Sequence, residues 1–183
     1  MNVKYTILLK DTFIFALGSF GSKIILFFMV PLYTNYMTTE EYGIADLVFT
    51  VAQFLTPIMS IVIHDAVIRY GLSKEYRKED VLRVGYTIII EDIIIAVVIV
   101  PRVAAYTPLK PWRWYLSLYS VLCILDSIQF NYLKACEKNR LFAGLSILKT
   151  GCMALFNVVF LAILQIGIRG YLIANILALM ITN

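Results

Sequence analysis

Ionisable side chains lie inside long apolar stretches of this sequence, where charge is uncommon. Seven of them are Lys23, His64, Asp65, Glu91, Asp92, Asp126 and Lys149. Charge is costly in an apolar environment, so residues of this kind usually pair with one another or mark a pathway for a substrate, an ion or a proton. A carboxylate can carry a proton, whereas an ammonium group can bind an anion. These seven residues are therefore the first candidates for a functional site.

Lys23 lies near the middle of the apolar residues 12–36. In a helix it would be roughly 16 Å from residue 12, too deep for its side chain to reach an interface easily. An ammonium group facing lipid at that depth would cost at least about 2.5 kcal/mol. We therefore expect Lys23 to face a water-filled cavity or a partner carboxylate. A positive charge there suits an anionic substrate, of which a phosphate is the commonest kind.

Glu91, Asp92, Asp126 and Lys149 are predicted to lie in one layer, because each is a few turns from the same end of its apolar stretch. Glu91 and Asp92 are adjacent, so on a helix they point about 100° apart and cannot both meet one partner. We expect one of the two to face a cavity. Asp126 and Lys149 have two open interpretations: a buried ion pair that fixes helix packing, or part of a functional layer.

The sequence shows no pattern typical of a metal centre or of catalysis. His64 is the only histidine, and its position beside Asp65 is typical of a polar residue with an ordinary hydrogen-bond partner. The three cysteines lack metal-ligand spacing and are interpreted as small apolar residues. They are Cys123, Cys136 and Cys152. We therefore predict no catalytic residues, no metal and no cofactor.

Composition excludes an ordinary soluble domain. Hydrophobic residues make up 61% of the 183 residues and charged residues only 15%, and the mean hydropathy is +0.82. Soluble domains carry about 25% charged residues. The net charge of +4 comes from basic residues in short loops, with no basic-aromatic patch, so nucleic acid is not expected as a partner.

The apolar stretches predict an all-α, polytopic transmembrane bundle of about six spans, because about 20 helical residues cross a bilayer. The predicted spans are residues 12–36, 44–67, 85–100, 112–132, 141–164 and 171–183. Thr38 and Glu41 have the spacing of a helix capping box at the start of the second span. The last span is too short for a full crossing, so the chain is expected to be incomplete.

The distribution of Lys and Arg predicts a cytoplasmic N-terminus, since cytoplasmic loops carry the excess of these residues. Ten would lie on the cytoplasmic side and four on the other. The ten are Lys4, Lys10, Arg69, Lys74, Arg77, Lys78, Arg83, Lys134, Lys138 and Arg140, and the four are Arg102, Lys110, Arg113 and Arg169.

Three segments carry a resemblance to a known family. They are GSFGSKIILFFMVPLYTNYMTTEEYGIADL at residues 18–47, HDAVIRY at residues 64–70 and IGIRGYLIANILA at residues 166–178. In these segments the chain resembles the Wzx-type oligosaccharide flippases of polysaccharide biosynthesis, in the multidrug/oligosaccharidyl-lipid/polysaccharide exporter superfamily. The resemblance implies two six-helix lobes around a central cavity. This chain would be the N-terminal lobe, residues 1–183, and the second lobe would be absent.

The resemblance also implies a function. Such a protein moves an undecaprenyl-diphosphate-linked oligosaccharide across the bacterial cytoplasmic membrane by alternating access, coupled to an ion gradient. Lys23 and Arg69 would then bind the substrate, and Glu91, Asp92 and Asp126 would be candidates for ion coupling. The implied partners are the lipid-linked substrate, membrane lipid, and a second lobe or another copy of the chain.

Other functions remain open at this point. The chain could belong to an exporter of another substrate, to a peptidoglycan-precursor flippase of the same superfamily, or to a non-catalytic structural subunit. A membrane-embedded transferase would need acid, base or metal-binding groups gathered at an interface. The sequence has no such cluster, so we predict that the chain is not an enzyme.

Overall fold

The computed structural model describes residues 3–60, 63–73 and 75–183, with the side chains in those ranges except those of residues 3–15, 17–19, 63, 64 and 88. Every regular element in this part of the chain is helical. The helices are α1 (Val3–Tyr36), α2 (Thr39–Met59), α3 (Ile63–Gly71), α4 (Lys78–Ala104), α5 (Arg113–Ala135), α6 (Asn139–Asn157) and α7 (Gly167–Thr182). A 3₁₀ turn, Lys110–Trp112, precedes α5, and a π-helical segment, Val158–Ile163, continues α6. The predicted all-α class is confirmed.

Four helical segments of the described chain are long and apolar enough to cross a membrane. They are Thr39–Met59, Lys78–Ala104, Lys110–Ala135 and Asn139–Ile163. The predicted span at residues 12–36 is helical throughout, within the 34 residues of α1, but many of its side chains lie outside the described set. The described chain therefore has four helical segments that could cross a membrane, while six spans stay a prediction.

The predicted second span, residues 44–67, is not one continuous helix. α2 ends at Met59, and α3 begins at Ile63. Pro57 lies two residues before the end of α2 and has no N–H for the helix ladder. The Ser60 hydroxyl donates to the Thr56 carbonyl oxygen at 2.8 Å, in addition to the Ser60 backbone N–H at 3.1 Å, and side-chain bonds of this kind often bend helices. These two local effects explain a break that hydropathy does not detect.

The other boundaries differ from prediction mainly where polar residues are helical. α4 begins at Lys78, seven residues before the predicted span, with Glu79 and Asp80 in its first turn. Acidic residues stabilise a helix N-terminus, so this charged segment starts the helix and is not a loop. The Lys78 ammonium also donates to the carbonyl oxygen of Ala135, at the C-terminus of α5, at 3.0 Å.

The start of α2 agrees with the sequence. The backbone N–H of Glu41 donates to the Thr38 hydroxyl at 3.2 Å, and the Thr38 N–H donates to the Glu41 carboxylate at 3.0 Å. This reciprocal pair satisfies backbone donors that the first helical turn leaves free. The predicted capping box is confirmed.

α5 is the central helix of the bundle. It packs against α2, α3, α4, α6 and α7, and its buried side chains include Ile124 and Ile128. At its C-terminal end α3 approaches closely, since a Cβ at Gly71 would lie 2.6 Å from the Ala135 Cβ. α1 lies on the other side, against α6, where the Ser22 hydroxyl donates to the Ser146 carbonyl oxygen at 3.1 Å. The layout leaves room between α1, α2, α5, α6 and α7.

Candidate functional site

A cavity of about 570 Å³ lies between α1, α2, α5, α6 and α7. Sites for small molecules commonly occupy about 300–1,000 Å³, so the volume is sufficient for a ligand or for part of a larger one. Its wall is mixed: apolar side chains alternate with polar groups, among them Gln53, Asp126, Ser127, Lys149 and Asn175. We call this space the central cavity.

Asp126 and Lys149 form an ion pair in the wall of the central cavity. The Lys149 Nζ lies 2.9 Å from one carboxylate oxygen of Asp126 and 2.8 Å from the other. The side chains are 27% exposed for Lys149 and 17% exposed for Asp126, so the pair is partly desolvated. The Lys149 ammonium also lies 4.3 Å from the centre of the Phe130 ring, a cation–π contact. The predicted pair exists, and each charge neutralises the other.

The pair follows from the hairpin of α5 and α6. Asp126 lies eleven residues before Glu137, and Lys149 lies eleven residues after Lys138. α5 ends at Ala135 and α6 begins at Asn139, so the turn between the helices lies midway between the two charges. Equal distances from a helical turn place two residues at the same height on antiparallel helices. This symmetry is readable from the sequence.

Aromatic rings adjoin one part of the central cavity. Tyr119 lines it, and its ring centre lies 4.7 Å from that of Phe49. Phe49 lies 5.4 Å from Tyr171, which lies 4.8 Å from Tyr33. Asn157, the last α-helical residue before the π-helical segment, donates to the Tyr33 hydroxyl at 3.3 Å. π-Helical turns are frequent at functional sites. The type and spacing of these aromatic residues and of Asn157 show no signal in the sequence, so none of them was a predicted site residue.

Lys23 is exposed and is not among the residues that line the central cavity. Leu26, about one turn further along α1, does line it. Within the described part of the chain, Lys23 has no carboxylate at ion-pair distance. The cavity wall contains Lys149 in place of the expected Lys23, because the α5–α6 hairpin directs Lys149 to that space. A substrate role for Lys23 stays a prediction.

Arg69 lies in the last turn of α3, with an exposed side chain whose guanidinium is 5.9 Å from the centre of the Tyr70 ring. It does not line the central cavity. The structure therefore does not bring Lys23 and Arg69 together in the wall of one cavity. The substrate contact proposed for Arg69 also stays a prediction.

Glu91 and Asp92 differ sharply in their surroundings. Glu91 is exposed, whereas Asp92 is 1% exposed, and neither of its carboxylate oxygens has a hydrogen-bond partner among the described residues. Neither residue lines the central cavity, contrary to the expectation for one of them. One turn beyond Asp92, the Ala96 carbonyl oxygen accepts a hydrogen bond from the Ser117 hydroxyl of α5. Asp92 therefore belongs to the α4–α5 side of the bundle.

The remaining sequence candidates are His64, Asp65 and the cysteines. The side chain of His64 lies outside the described residues, and Asp65 is exposed. All three cysteines are free thiols. In the part of the chain that the structure describes, no three His, Cys, Asp or Glu side chains are grouped as a metal site would require.

Comparisons of this chain with protein-family models, with curated proteins and with solved structures give no match. By its own features, the described chain is a helical protein with four helical segments that could cross a membrane and a cavity of mixed polarity with an ion pair in its wall.

Proposed function

We propose that this chain is one lobe of a membrane transporter that flips an undecaprenyl-diphosphate-linked oligosaccharide across the bacterial cytoplasmic membrane for surface polysaccharide biosynthesis. The observation that carries the proposal is the central cavity itself. Helices α2, α5 and α6, which are long and apolar enough to cross a bilayer, line a space of about 570 Å³ together with α1 and α7. Its wall contains polar side chains and an ion pair. Polar residues at membrane depth usually line a pathway.

The cavity suggests where each part of such a substrate would lie. The polar head of a lipid-linked oligosaccharide needs a hydrated, polar surface, and its polyprenyl tail is as apolar as the bilayer. A cavity inside the bundle would hold part of the head while the tail stays in the lipid. Access from one side and then from the other would move the head across without any covalent change. A second lobe, or another copy of this chain, would complete the cavity.

Ion coupling is part of the proposal. Asp92 is its strongest candidate, because a carboxylate buried without a hydrogen-bond partner has a desolvation cost that no described contact offsets. A bound proton or cation would offset that cost. Glu91 is exposed and Asp126 is held by Lys149, so these two candidates are weaker.

The test is export in a flippase-deficient bacterial strain complemented with the complete reading frame that contains this chain. Lys23→Ala is expected to lower surface polysaccharide at least about tenfold, as loss of one charge-assisted contact would, whereas Lys23→Arg keeps the charge and most of the export. Arg102→Ala is the matched control: Arg102 is an exposed cation whose guanidinium donates to the Val98 carbonyl oxygen of its own helix at 2.7 Å. Normal export from both Lys23 variants, at normal protein levels, would contradict the substrate role of Lys23. No polysaccharide with the unmodified reading frame would contradict the flippase.

A structural membrane subunit is the second candidate, and the Asp126–Lys149 pair favours it. Two opposite charges at 2.8 Å between neighbouring helices can serve packing alone. In that case removal of either charge lowers the amount of assembled protein, while transport per assembled complex is unchanged. Quantifying export per molecule in the membrane separates the two functions.

A further inference from the structure

We propose that the central cavity binds the uncharged, hydroxyl-bearing sugars of the substrate and excludes its anionic group. This inference rests on the proposed function for the statement that the ligand carries sugars. The chemistry of the cavity wall supplies the preference for an uncharged ligand.

The first step concerns charge. Asp126 and Lys149 are the only charged residues in the wall of the central cavity as far as the structure describes it, and they neutralise each other. An ammonium group has three N–H donors, and Lys149 directs donors to both oxygens of Asp126, at 2.8 and 2.9 Å. An anion that approached Lys149 would compete with a carboxylate already in place and would be repelled by it. The wall therefore offers little to a diphosphate.

The second step concerns hydrogen bonding. The Gln53 amide and the Ser127 hydroxyl line the cavity and have no hydrogen-bond partner within the described chain, so both can donate to and accept from a ligand. Asn175 uses its NH₂ group to donate to the Tyr171 carbonyl oxygen at 2.8 Å, which leaves its amide oxygen as an acceptor. A sugar hydroxyl both donates and accepts, whereas an ionised phosphate oxygen only accepts. Acceptors such as the Asn175 oxygen favour the hydroxyl.

The third step concerns the apolar part of the wall. The Tyr119 side chain and the aliphatic Leu26, Met153 and Leu179 complete the lining. A sugar ring presents C–H groups on its faces and hydroxyls at its edge, so it can use apolar and polar surface together. Binding sites that combine an apolar wall with a few placed polar groups are typical for small-molecule ligands.

As a consequence, the two cations Lys149 and Lys23 would have different roles. Lys149 is neutralised within the cavity, whereas Lys23 lies outside its wall with no carboxylate partner in the described residues. The anionic part of the substrate would therefore meet Lys23 and not Lys149. Sugar recognition and charge recognition would then be separable by mutation.

The test is direct binding to the complete chain in lipid nanodiscs, measured by calorimetry and by saturation-transfer NMR. The probes are three neutral tetrasaccharides, of glucose, galactose and N-acetylglucosamine, and inorganic pyrophosphate. We expect at least one tetrasaccharide to bind and pyrophosphate not to compete with it. Gln53→Ala should weaken that binding about threefold to tenfold, as loss of one or two hydrogen bonds does. Gln129→Ala is the matched control, because Gln129 is not part of the cavity wall and donates to the Asn183 carbonyl oxygen at 2.9 Å.

A charge variant sharpens the test. Asp126→Asn leaves Lys149 without its counter-charge, so the wall becomes positive, and pyrophosphate binding that is absent from the unmodified chain should appear. Gln53 is exposed, so its alanine variant should fold, which gel filtration and helical circular dichroism verify. Two results would overturn the proposal. The first is that pyrophosphate binds saturably to the unmodified chain and that Lys149→Met abolishes this binding. The second is that none of the three tetrasaccharides binds.

Failure of this inference is distinguishable from failure of the flippase. Export in cells tests the transporter and does not depend on which part of the ligand the cavity holds. Sugar binding without export would leave the cavity assignment standing, and export with pyrophosphate bound at Lys149 would leave the flippase standing and remove the assignment.

Discussion

Two aspartates on neighbouring membrane-length helices have opposite surroundings. Asp126 of α5 is 17% exposed at its side chain and lies within 2.9 Å of the Lys149 ammonium through both oxygens. Asp92 of α4 is 1% exposed, and neither of its oxygens has a partner in the described chain. The residue type is the same in the two places, and both helices are long and apolar enough to cross a membrane. What differs is whether the neighbouring helix presents a cation at the same height.

The difference separates a charge that can stabilise the fold, Asp126, from a charge that destabilises it, Asp92. A paired charge can be retained for packing, whereas an unpaired buried carboxylate weakens the fold and needs another reason to be present. The α4–α5 side provides few polar neighbours: the Ser117 hydroxyl donates to the Ala96 carbonyl oxygen, and the Ser120 hydroxyl donates to the Leu116 carbonyl oxygen of its own helix. The same substitution should therefore have opposite effects in the two regions.

The largest effect is expected from Asp126→Asn. It removes the counter-charge of a half-buried ammonium group, and the free energy of unfolding should fall by about 1–3 kcal/mol, between the values for exposed and fully buried pairs. SDS titration in mixed micelles, followed by circular dichroism, measures this change. An unchanged free energy of unfolding would mean that the Asp126–Lys149 pair contributes nothing to the fold.

Asp92→Asn should raise the free energy of unfolding, opposite to Asp126→Asn. The substitution keeps the shape and removes a charge that has no described partner, so the free energy of unfolding should rise by about 1 kcal/mol. The same titration measures it, with Asp126→Asn as the matched control. If Asp92 binds the coupling ion, export falls in the same variant. A loss of stability would show that Asp92 is satisfied by a group outside the described residues.

A comparison of Ser117→Ala with Ser120→Ala tests the α4–α5 side of the bundle, where Asp92 is buried. Ser117 bonds across to α4, whereas Ser120, one turn along the same helix, bonds only within α5. Loss of the interhelical bond should lower the free energy of unfolding by about 0.5–1 kcal/mol, and loss of the local bond by less. Equal effects of the two variants would show that the α4–α5 bond contributes no more than a bond inside one helix.

The smallest change in stability is expected from the double variant Asp126→Leu with Lys149→Met. Replacing a buried pair by apolar side chains of similar volume is often neutral, so the free energy of unfolding should change by less than about 1 kcal/mol. Export and tetrasaccharide binding in this variant then separate the two roles of the pair. Full activity would assign the pair to packing alone, and lost activity in a stable protein would assign it to the ligand.

The sequence predicted much of this fold because the relevant signals are local. Apolar stretches gave the helix type, and the spacing of Thr38 and Glu41 gave the start of α2, now seen as reciprocal hydrogen bonds. The Asp126–Lys149 pair was proposed from charge and depth, and the equal distances from the α5–α6 turn account for it. The break after Met59 was missed because it depends on Pro57 and Ser60 and not on hydropathy.

Which charges line the central cavity, and which one is buried without a partner, was decided only by the packing of the helices. Hydropathy and spacing identify which residues are costly in an apolar environment, since that cost belongs to the side chain. Whether Lys149 or Lys23 lines the cavity, and whether Glu91 or Asp92 turns inward, depends on how each helix is rotated against its neighbours. Rotation is set by the sum of many small packing contacts between helices. No short stretch of sequence contains that sum, so the tertiary structure alone decides that Lys149 and not Lys23 lines the cavity, and that Asp92 and not Glu91 is buried.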